Sequence, residues 1–187
     1  MSGQVAVVSG AGGGIGSAIC QRLAEAGAHV VLTYRQSREK TQAVADSLSG
    51  EGHMVVQAPV DDSAAVQRLA GQVAERYGKV HLLVNCAGVT RPVAHDDLDG
   101  LDDELIDRIF RVNWRGAFAM IRAFRPLLDE HEGGTVVNIS SIAGVTAVGS
   151  NVAYCASKAA MNSMTMSLAR ALAPKIRVVS VSPGWVL

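Results

Sequence analysis

A glycine-rich run follows an apolar stretch near the N-terminus and has the sequence Ser9-Gly10-Ala11-Gly12-Gly13-Gly14-Ile15-Gly16. The preceding residues, Val5 to Val8, have the length and composition of a buried β-strand, and residues 14–27 are typical of a helix. Because glycine lacks a Cβ atom, the run lets the backbone turn sharply and approach a negatively charged group closely. A strand, a glycine turn and a helix in this order predict a dinucleotide-binding unit that holds a pyrophosphate.

Strand-like runs alternate with amphipathic helical stretches along the whole chain. We predict strands near residues 4–9, 28–34, 53–58, 80–85, 134–140 and 176–182. We predict helices near residues 14–27, 37–49, 62–78, 101–128 and 153–173. The alternation favours an α/β fold over residues 1–187, a single domain with one Rossmann-type, doubly wound parallel sheet and helices on both faces.

Composition excludes several functional classes. The formal net charge of the 187 residues is zero and lysine and arginine form no stripe, so we expect neither nucleic acid nor an anionic membrane as partner. The apolar runs are far shorter than the ~20 residues of a membrane span, and the N-terminus lacks a signal-peptide pattern, so we expect a cytoplasmic protein. The scattered cysteines Cys20, Cys86 and Cys155 indicate neither disulfides nor a metal site, and we expect them to be buried small residues.

A second cluster of chemically active residues lies in the C-terminal half. Tyr154 and Lys158 are four residues apart on a predicted helix and leave the same face, so the ammonium can favour the phenolate and lower the pKa of the phenol. Ser141 and its neighbour Ser140 follow a predicted strand, at the sheet edge where open α/β folds bind ligands. A hydroxyl, a phenol and an ammonium meeting one carbonyl group would form a hydride-transfer site.

In this combination the motifs resemble the short-chain dehydrogenase/reductase family, in the subgroup with T-G-x-x-x-G-x-G and Y-x-x-x-K, where Ser9 replaces the usual threonine. The resemblance extends over essentially the whole chain, through Asn85-Cys86-Ala87-Gly88, Asn113-Trp114-Arg115-Gly116, Asn138-Ile139-Ser140-Ser141 and Ser182-Pro183-Gly184. The surroundings of the motifs are most similar to 3-oxoacyl-[acyl-carrier-protein] reductases, followed by sugar or small-polyol dehydrogenases.

The resemblance implies hydride transfer between a nicotinamide and a ketone or secondary alcohol, including acyl-carrier-linked 3-oxoacyl thioesters. It implies that Tyr154 exchanges a proton with the substrate, that Ser141 orients the carbonyl, that Lys158 holds the nicotinamide ribose, and that Asn113 supports a water. Ser141 is preferred to Ser140 because it precedes Tyr154 by thirteen positions, the interval common in the family. Without the family match, Asn113 could simply bond a neighbouring backbone group.

The resemblance also implies a set of cofactor-binding residues. These are Gly10, Gly12, Gly13, Gly14, Ile15, Gly16, Tyr34, Arg35, Val60, Asn85, Ala87, Gly88, Tyr154, Lys158, Pro183, Gly184 and Val186.

The end of the second strand bears on the choice of nicotinamide cofactor. An acidic residue there normally accepts from the adenosine 2′-OH of NAD, but Val30 to Arg35 contains no carboxylate. We therefore expect NADP, with Arg35, helped by Ser37 or Arg38, paired with the 2′-phosphate. NAD stays open because Arg35 can also be solvated, and because Pro59 stands where relatives often have an aspartate that contacts adenine; Val60 would then contact adenine instead.

Family members usually continue beyond the position that corresponds to Leu187, with a substrate-loop helix pair and a seventh strand. We therefore expect this chain to be C-terminally incomplete, with Trp185, Val186 and Leu187 beginning a substrate-side loop. The resemblance implies a homodimer or homotetramer. A different class of function also stays open: an NAD(P)-binding sensor or assembly protein without turnover.

Overall fold

Six apolar segments form one β-sheet in the computed structural model, which describes residues 1–130 and 132–186. The strands are β1 (Val5–Ser9), β2 (His29–Tyr34), β3 (Met54–Gln57), β4 (Leu82–Asn85), β5 (Gly134–Ile139) and β6 (Ile176–Val181). They lie in the order β3-β2-β1-β4-β5-β6, and all neighbouring strands are parallel. The chain reverses its direction of travel between β1 and β4, which confirms the predicted doubly wound sheet and opens a crevice at the C-terminal strand ends.

Helices connect the strands. They are α1 (Gly14–Glu25), α2 (Arg38–Asp46), α3 (Ser63–Tyr77), α4 (Asp103–Phe110), α5 (Ala117–Leu128), α6 (Ala143–Thr146) and α7 (Val152–Ala171). None of the helices within the described ranges combines the length and hydrophobicity needed to cross a membrane.

Two features of the helices differ from the sequence prediction. The single helix predicted over 101–128 is instead α4 and α5 joined by a π-helical turn, Arg111–Gly116. A hydrophobic period cannot separate one wide turn from the α-helix around it, so the sequence did not indicate the change. The short helix α6 was not predicted, because four residues are too few to show a period.

The two faces of the sheet bury separate cores because side chains alternate along each strand. Val7 of β1 lies in one buried cluster with Leu69 of α3 and Phe124 of α5. Its neighbour Val8 lies in the other cluster, with Cys20 of α1 and Leu32 of β2. Burial on both faces explains why the strands are apolar through most of their length.

Helix N-termini follow the polar signals in the sequence. Asp62 precedes α3 and accepts from the N–H groups of Ala64 and Ala65 at 2.9 and 3.0 Å. Asn151 precedes α7 and accepts from the N–H of Tyr154 at 2.6 Å. The second of these caps lies three residues before the predicted proton donor.

Leu187, predicted to belong to a substrate-side loop, lies outside the described residues.

Candidate active site

A cleft of about 790 Å³ lies at the C-terminal ends of the strands, where the sheet changes direction. The predicted site residues in its wall are Gly10, Gly12, Gly13, Gly14, Ile15, Gly16, Tyr34, Arg35, Val60, Ala87, Gly88, Tyr154, Lys158 and Val186. One cavity therefore connects the glycine run after β1 with the tyrosine and lysine of α7. The other predicted residues, described individually below, are not part of this wall.

The glycine run packs so closely that two of its positions exclude a side chain. Gly10 has a φ of +69°, and a Cβ atom there would lie 2.9 Å from the Cα of Ala87. A Cβ atom at Gly16 would collide with the carbonyl oxygen of Gly10. No described side chain caps the N-terminus of α1, so its first N–H groups can face a ligand. This cradle of bare backbone fits a dinucleotide pyrophosphate.

Ser9 holds the glycine run to the loop after β4. Its Oγ accepts from the N–H groups of Cys86 and Ala87 at 3.1 and 3.2 Å and is buried. From the sequence, Ser9 was seen only as a substitute for threonine, and this role was not predicted. A hydroxyl at this position of the motif was the available signal, because either serine or threonine can accept these bonds.

The end of the cleft that adjoins β2 and α2 carries positive charge. Arg35 follows β2, and Lys40 lies in the first turns of α2; both are exposed and both line the cleft. A Cβ atom at Gly12 would lie 3.8 Å from the Cβ of Lys40, so α2 packs against the glycine run. Lys40 was missed because only this packing turns it towards the cavity. Ser37 also lines the cleft, whereas Arg38, considered with it, does not.

Tyr154 and Lys158 lie one turn apart on α7, as predicted from their spacing. The Nζ of Lys158 lies 5.7 Å from the centroid of the Tyr154 ring. The same atom donates to the carbonyl oxygen of Ile139 at 2.7 Å. Lys158 is only 5% exposed, and this burial lowers the pKa of its amine from 10.5 to about 8. Both residues line the cleft.

Asn113 lies in the π-helical turn, behind the cleft wall. Its Oδ1 accepts from the N–H of Val89 at 2.8 Å, and its Nδ2 donates to the carbonyl of Val89 at 3.0 Å and to Ser157 Oγ at 3.1 Å. A Cβ atom at Gly88 would be 3.4 Å from Asn113 Oδ1 and 3.9 Å from Lys158 Nζ. Asn113 therefore bonds the backbone of a loop 24 residues earlier in the chain, not a neighbouring group of its own helix, and it does so beside Lys158.

The two adjacent serines after β5 have different partners. Ser140 is buried, lines the cleft, and donates its hydroxyl to the carbonyl of Lys158 at 3.2 Å. Ser141 is half-buried, and its Oγ accepts from the N–H of Ala143 at 3.1 Å. Ser140 therefore uses its proton inside the protein, whereas the hydroxyl proton of Ser141 is not used in this bond.

Asn85, predicted to bind the cofactor, does not line the cleft. Its side chain is buried and donates to Asn138 Oδ1 at 2.8 Å, and Asn138 in turn donates to Thr165 of α7 at 2.9 Å. Asn85 and Asn138 are register partners on β4 and β5, so both side chains project from the same face. The position of Asn85 in a motif did not reveal which face this would be.

Pro183 and Gly184 also lie outside the cleft wall. The carbonyl of Pro183 accepts from the N–H of Ile142 at 3.0 Å. A Cβ atom at Gly184 would lie 3.6 Å from Ile142 Cδ1. The segment is thus held against the start of α6, and Val186 is its member in the cleft wall.

The cysteines have environments that oppose nucleophilic chemistry. Cys20 and Cys155 are buried as predicted, and burial raises the pKa of the Cys20 thiol to about 12. Cys86 is half-buried in the cleft wall, and burial also raises the pKa of its thiol. A raised pKa leaves little thiolate at neutral pH. Within residues 1–130 and 132–186, no cluster of three or more potential metal ligands occurs.

Comparison with known proteins agrees with this architecture. Residues 4–187 match the family model of short chain dehydrogenases. A 3-oxoacyl-[acyl-carrier-protein] reductase of Staphylococcus aureus is 33% identical over 185 residues, which cover 97% of this chain and 74% of that protein. An NAD-dependent glycerol dehydrogenase of Listeria innocua is 35% identical over 185 residues, which cover 98% of this chain and 71% of that protein.

A solved structure from Burkholderia xenovorans, assigned to the short-chain dehydrogenase/reductases, superposes with a TM-score of 0.94. It is 37% identical, and the match covers 98% of this chain and 78% of that chain. These likenesses confirm the resemblance inferred from the motifs. The chain belongs to the short chain dehydrogenase family, NAD(P)-binding oxidoreductases that act on CH–OH and carbonyl groups.

Proposed function

We propose that this protein is an NADP(H)-preferring oxidoreductase that interconverts a ketone and a secondary alcohol. One observation carries the proposal: a single cleft connects a glycine cradle, two basic side chains and the Tyr154–Lys158 pair. A glycine cradle is needed to bind the pyrophosphate of a dinucleotide, and basic side chains are needed to bind a 2′-phosphate. A proton donor such as Tyr154 is needed for a reacting carbonyl group.

Tyr154 is the proposed proton donor for reduction and acceptor for oxidation. The bound nicotinamide supplies or accepts the hydride. Lys158 carries a positive charge below pH about 8 and lies beside the Tyr154 ring.

Ser141 is the proposed donor to the substrate oxygen. Ser140 lines the cleft, but its hydroxyl already donates a hydrogen bond to the carbonyl of Lys158. Ser141 accepts from Ala143 through Oγ and keeps its own proton for a ligand. A donor that bonds the carbonyl oxygen stabilises the alkoxide charge that develops during reduction.

Asn113 is proposed to support proton exchange from behind the wall. Its amide fixes the backbone of Val89, and its Oδ1 lies beside the Gly88 position, which also borders Lys158 Nζ. This arrangement supports the family role, in which a water near Asn113 connects the lysine with solvent.

Arg35 and Lys40 support a preference for NADP over NAD. Both basic side chains line the end of the cleft that adjoins β2 and α2, together with Ser37. Arg35 and Lys40 can contact a phosphate through charge-assisted hydrogen bonds, and the hydroxyl of Ser37 can contact it through a neutral one. Asp61 lies in the same wall. Its carboxylate favours a ribose 2′-hydroxyl over a 2′-phosphate, and this residue is therefore the main local feature in favour of NAD.

The proposed substrates are ketones and secondary alcohols, including 3-oxoacyl thioesters linked to an acyl carrier. The likeness to a 3-oxoacyl-[acyl-carrier-protein] reductase supports this class. Sugar or small-polyol oxidation is the second candidate, supported by the likeness to a glycerol dehydrogenase. We also propose a cytoplasmic homodimer or homotetramer, for which light scattering after size-exclusion chromatography is the direct test.

Steady-state assays would test the activity. The purified protein is mixed with NADPH or NADH and a panel of 3-oxoacyl thioesters, diketones, sugars and polyols. We expect oxidation of NADPH by at least one ketone, with a kcat/KM for NADPH at least about tenfold above that for NADH. Tight NADPH binding without oxidation by any carbonyl compound would instead support the alternative of a sensor or assembly protein.

A further inference from the structure

Asn151 connects the catalytic helix with a distant segment of the cleft wall. Its side chain is completely buried at the N-terminus of α7. The Oδ1 atom accepts from the N–H of Tyr154 at 2.6 Å. The Nδ2 atom donates to the carbonyl of Arg91 at 2.8 Å and to Thr90 Oγ1 at 3.2 Å. One amide therefore binds the backbone of the proposed proton donor and a loop about sixty residues earlier in the chain.

The same loop is held from a second side by Asn113. Asn113 bonds both the N–H and the carbonyl of Val89, the residue before Thr90. Asn113 also donates to Ser157 Oγ, and Ser157 donates to the carbonyl of Tyr154 at 2.8 Å. Consecutive residues of the loop and both backbone polar groups of Tyr154 thus bond the side chains of Asn113, Asn151 and Ser157, which are all buried.

The loop held in this way forms part of the reacting end of the cleft. Gly88, Val89 and Thr90 line the same cavity as Tyr154 and Lys158. Further along the loop, the N–H of Val93 donates to the carbonyl of Ser150 at 2.8 Å. The position of the loop relative to Tyr154 therefore depends on residues 150 and 151, immediately before the helix.

We propose that Asn151 is a positioning residue that sets the separation between Tyr154 and the loop of residues 88–91. The proposal rests on the proposed function, in which Tyr154 exchanges a proton with the substrate. Capping alone does not explain this residue type, because serine, threonine and aspartate cap helices as well as asparagine does. Among these, only asparagine combines an acceptor for the helix with two N–H donors for the loop.

Displacement of the loop or of Tyr154 should lower turnover more than cofactor binding. A misplacement of about 1 Å at a reacting centre can reduce the rate by about 100-fold, whereas binding is spread over the whole dinucleotide. The contacts of Asn151 are confined to the reacting end, away from Arg35 and Lys40.

Two substitutions distinguish the hydrogen bonds that Asn151 makes to the loop from its capping of α7. Asn151→Ser and Asn151→Asp both keep an oxygen for the N–H of Tyr154, but neither can donate to the carbonyl of Arg91 from an amide. We expect kcat to fall about tenfold or more in both variants, with the KM for NADPH within about twofold of wild type. Asp62→Ser is the matched control, because it exchanges one capping residue for another at α3 and should leave kcat unchanged.

Hydrogen exchange tests the bonds between Asn151 and the loop without any measurement of enzyme activity. In Asn151→Ser, amide exchange in peptides covering residues 88–93 should accelerate relative to wild type, and Asp62→Ser should not change it. Wild-type kcat in both Asn151 variants, or unchanged exchange of this segment, would overturn the proposal. If the wild-type protein reduces no ketone, the proposed function fails, and the exchange experiment still decides whether Asn151 holds the loop.

Discussion

The Nζ atom of Lys158 donates to the carbonyl of Ile139 at 2.7 Å and lies 5.7 Å from the centroid of the Tyr154 ring. The amine is therefore held between the end of β5 and the phenol, with little access to water. Burial lowers its pKa to about 8, so the protein contains a cation at pH 7 that is costly to keep charged. Burial of this charged amine therefore lowers the stability of the fold at neutral pH.

Replacing this lysine should make the protein more stable without cofactor. The folded-state pKa is lowered below the unfolded value, so the unfolded state binds more protons between pH about 8 and 10.5, and wild-type stability rises with pH in that window. The lowering corresponds to about 3 kcal/mol at pH 7, offset by about 1 kcal/mol for the lost hydrogen bond. Urea unfolding should show Lys158→Met to be more stable than wild type at pH 7, with a smaller advantage at pH 10. A variant less stable than wild type at pH 7 would contradict this account.

Tyr154→Phe should remove most turnover and leave cofactor affinity nearly unchanged. The substitution deletes the proton donor but keeps the ring beside Lys158. We expect kcat to fall by about 100-fold or more, as is usual when a general acid is lost, with the Kd for NADPH within about twofold. Single-turnover kinetics and fluorescence titration measure the two quantities. Unchanged kcat would refute the proton-transfer role.

Charge at the end of the cleft that adjoins β2 and α2 should set the cofactor preference. Arg35→Asp replaces a cation with a carboxylate that repels a phosphate and can accept from a ribose hydroxyl. The ratio of kcat/KM for NADPH to that for NADH should fall by about tenfold or more, and Lys40→Ala should lower the same ratio by a smaller factor. Arg38→Ala is the control, because Arg38 does not line the cleft. An unchanged ratio in Arg35→Asp would show that another group selects the cofactor.

Gly16→Ala should destabilise the fold even without cofactor. The added Cβ atom would meet the carbonyl oxygen of Gly10, which is backbone and has no flexible end to move aside. We expect a loss of about 2 kcal/mol or more from overpacking in the free energy of unfolding. Gly71→Ala in α3 is the control, since its Cβ atom would meet nothing within 4 Å and should stabilise the helix slightly. Equal stability of the two variants would contradict the close packing of the glycine run.

Ser9→Ala should loosen the loop after β4, whereas Ser9→Thr should preserve it. Alanine leaves the N–H groups of Cys86 and Ala87 without their acceptor, at a cost of about 1–3 kcal/mol. Threonine keeps the oxygen. Chemical denaturation and the KM for NADPH should both separate the two variants, and identical behaviour would mean that the hydroxyl has no structural role.

Local patterns were sufficient for much of the site. The glycine run, the spacing of Tyr154 and Lys158, and the order of strands and helices depend on neighbouring residues, which the sequence displays directly. Lys40 and Ser9 were missed because their partners, Gly12 and the loop after β4, are brought to them by packing. Asn85 was misplaced because the register with Asn138 decides which face its side chain occupies.

The doubly wound sheet, the glycine run before α1 and the pairing of Tyr154 with Lys158 on one helix face follow from local features of the sequence, because hydrophobic period, missing Cβ atoms and helical spacing act over a few residues. The hydrogen-bond partners of Ser140 and Ser141, the deep burial of Lys158, and the bonds from Asn151 to residues 90 and 91 are properties of the folded protein that no local pattern displays. These properties depend on contacts between segments far apart in the chain, whose distances and orientations exist only once the sheet and helices have packed.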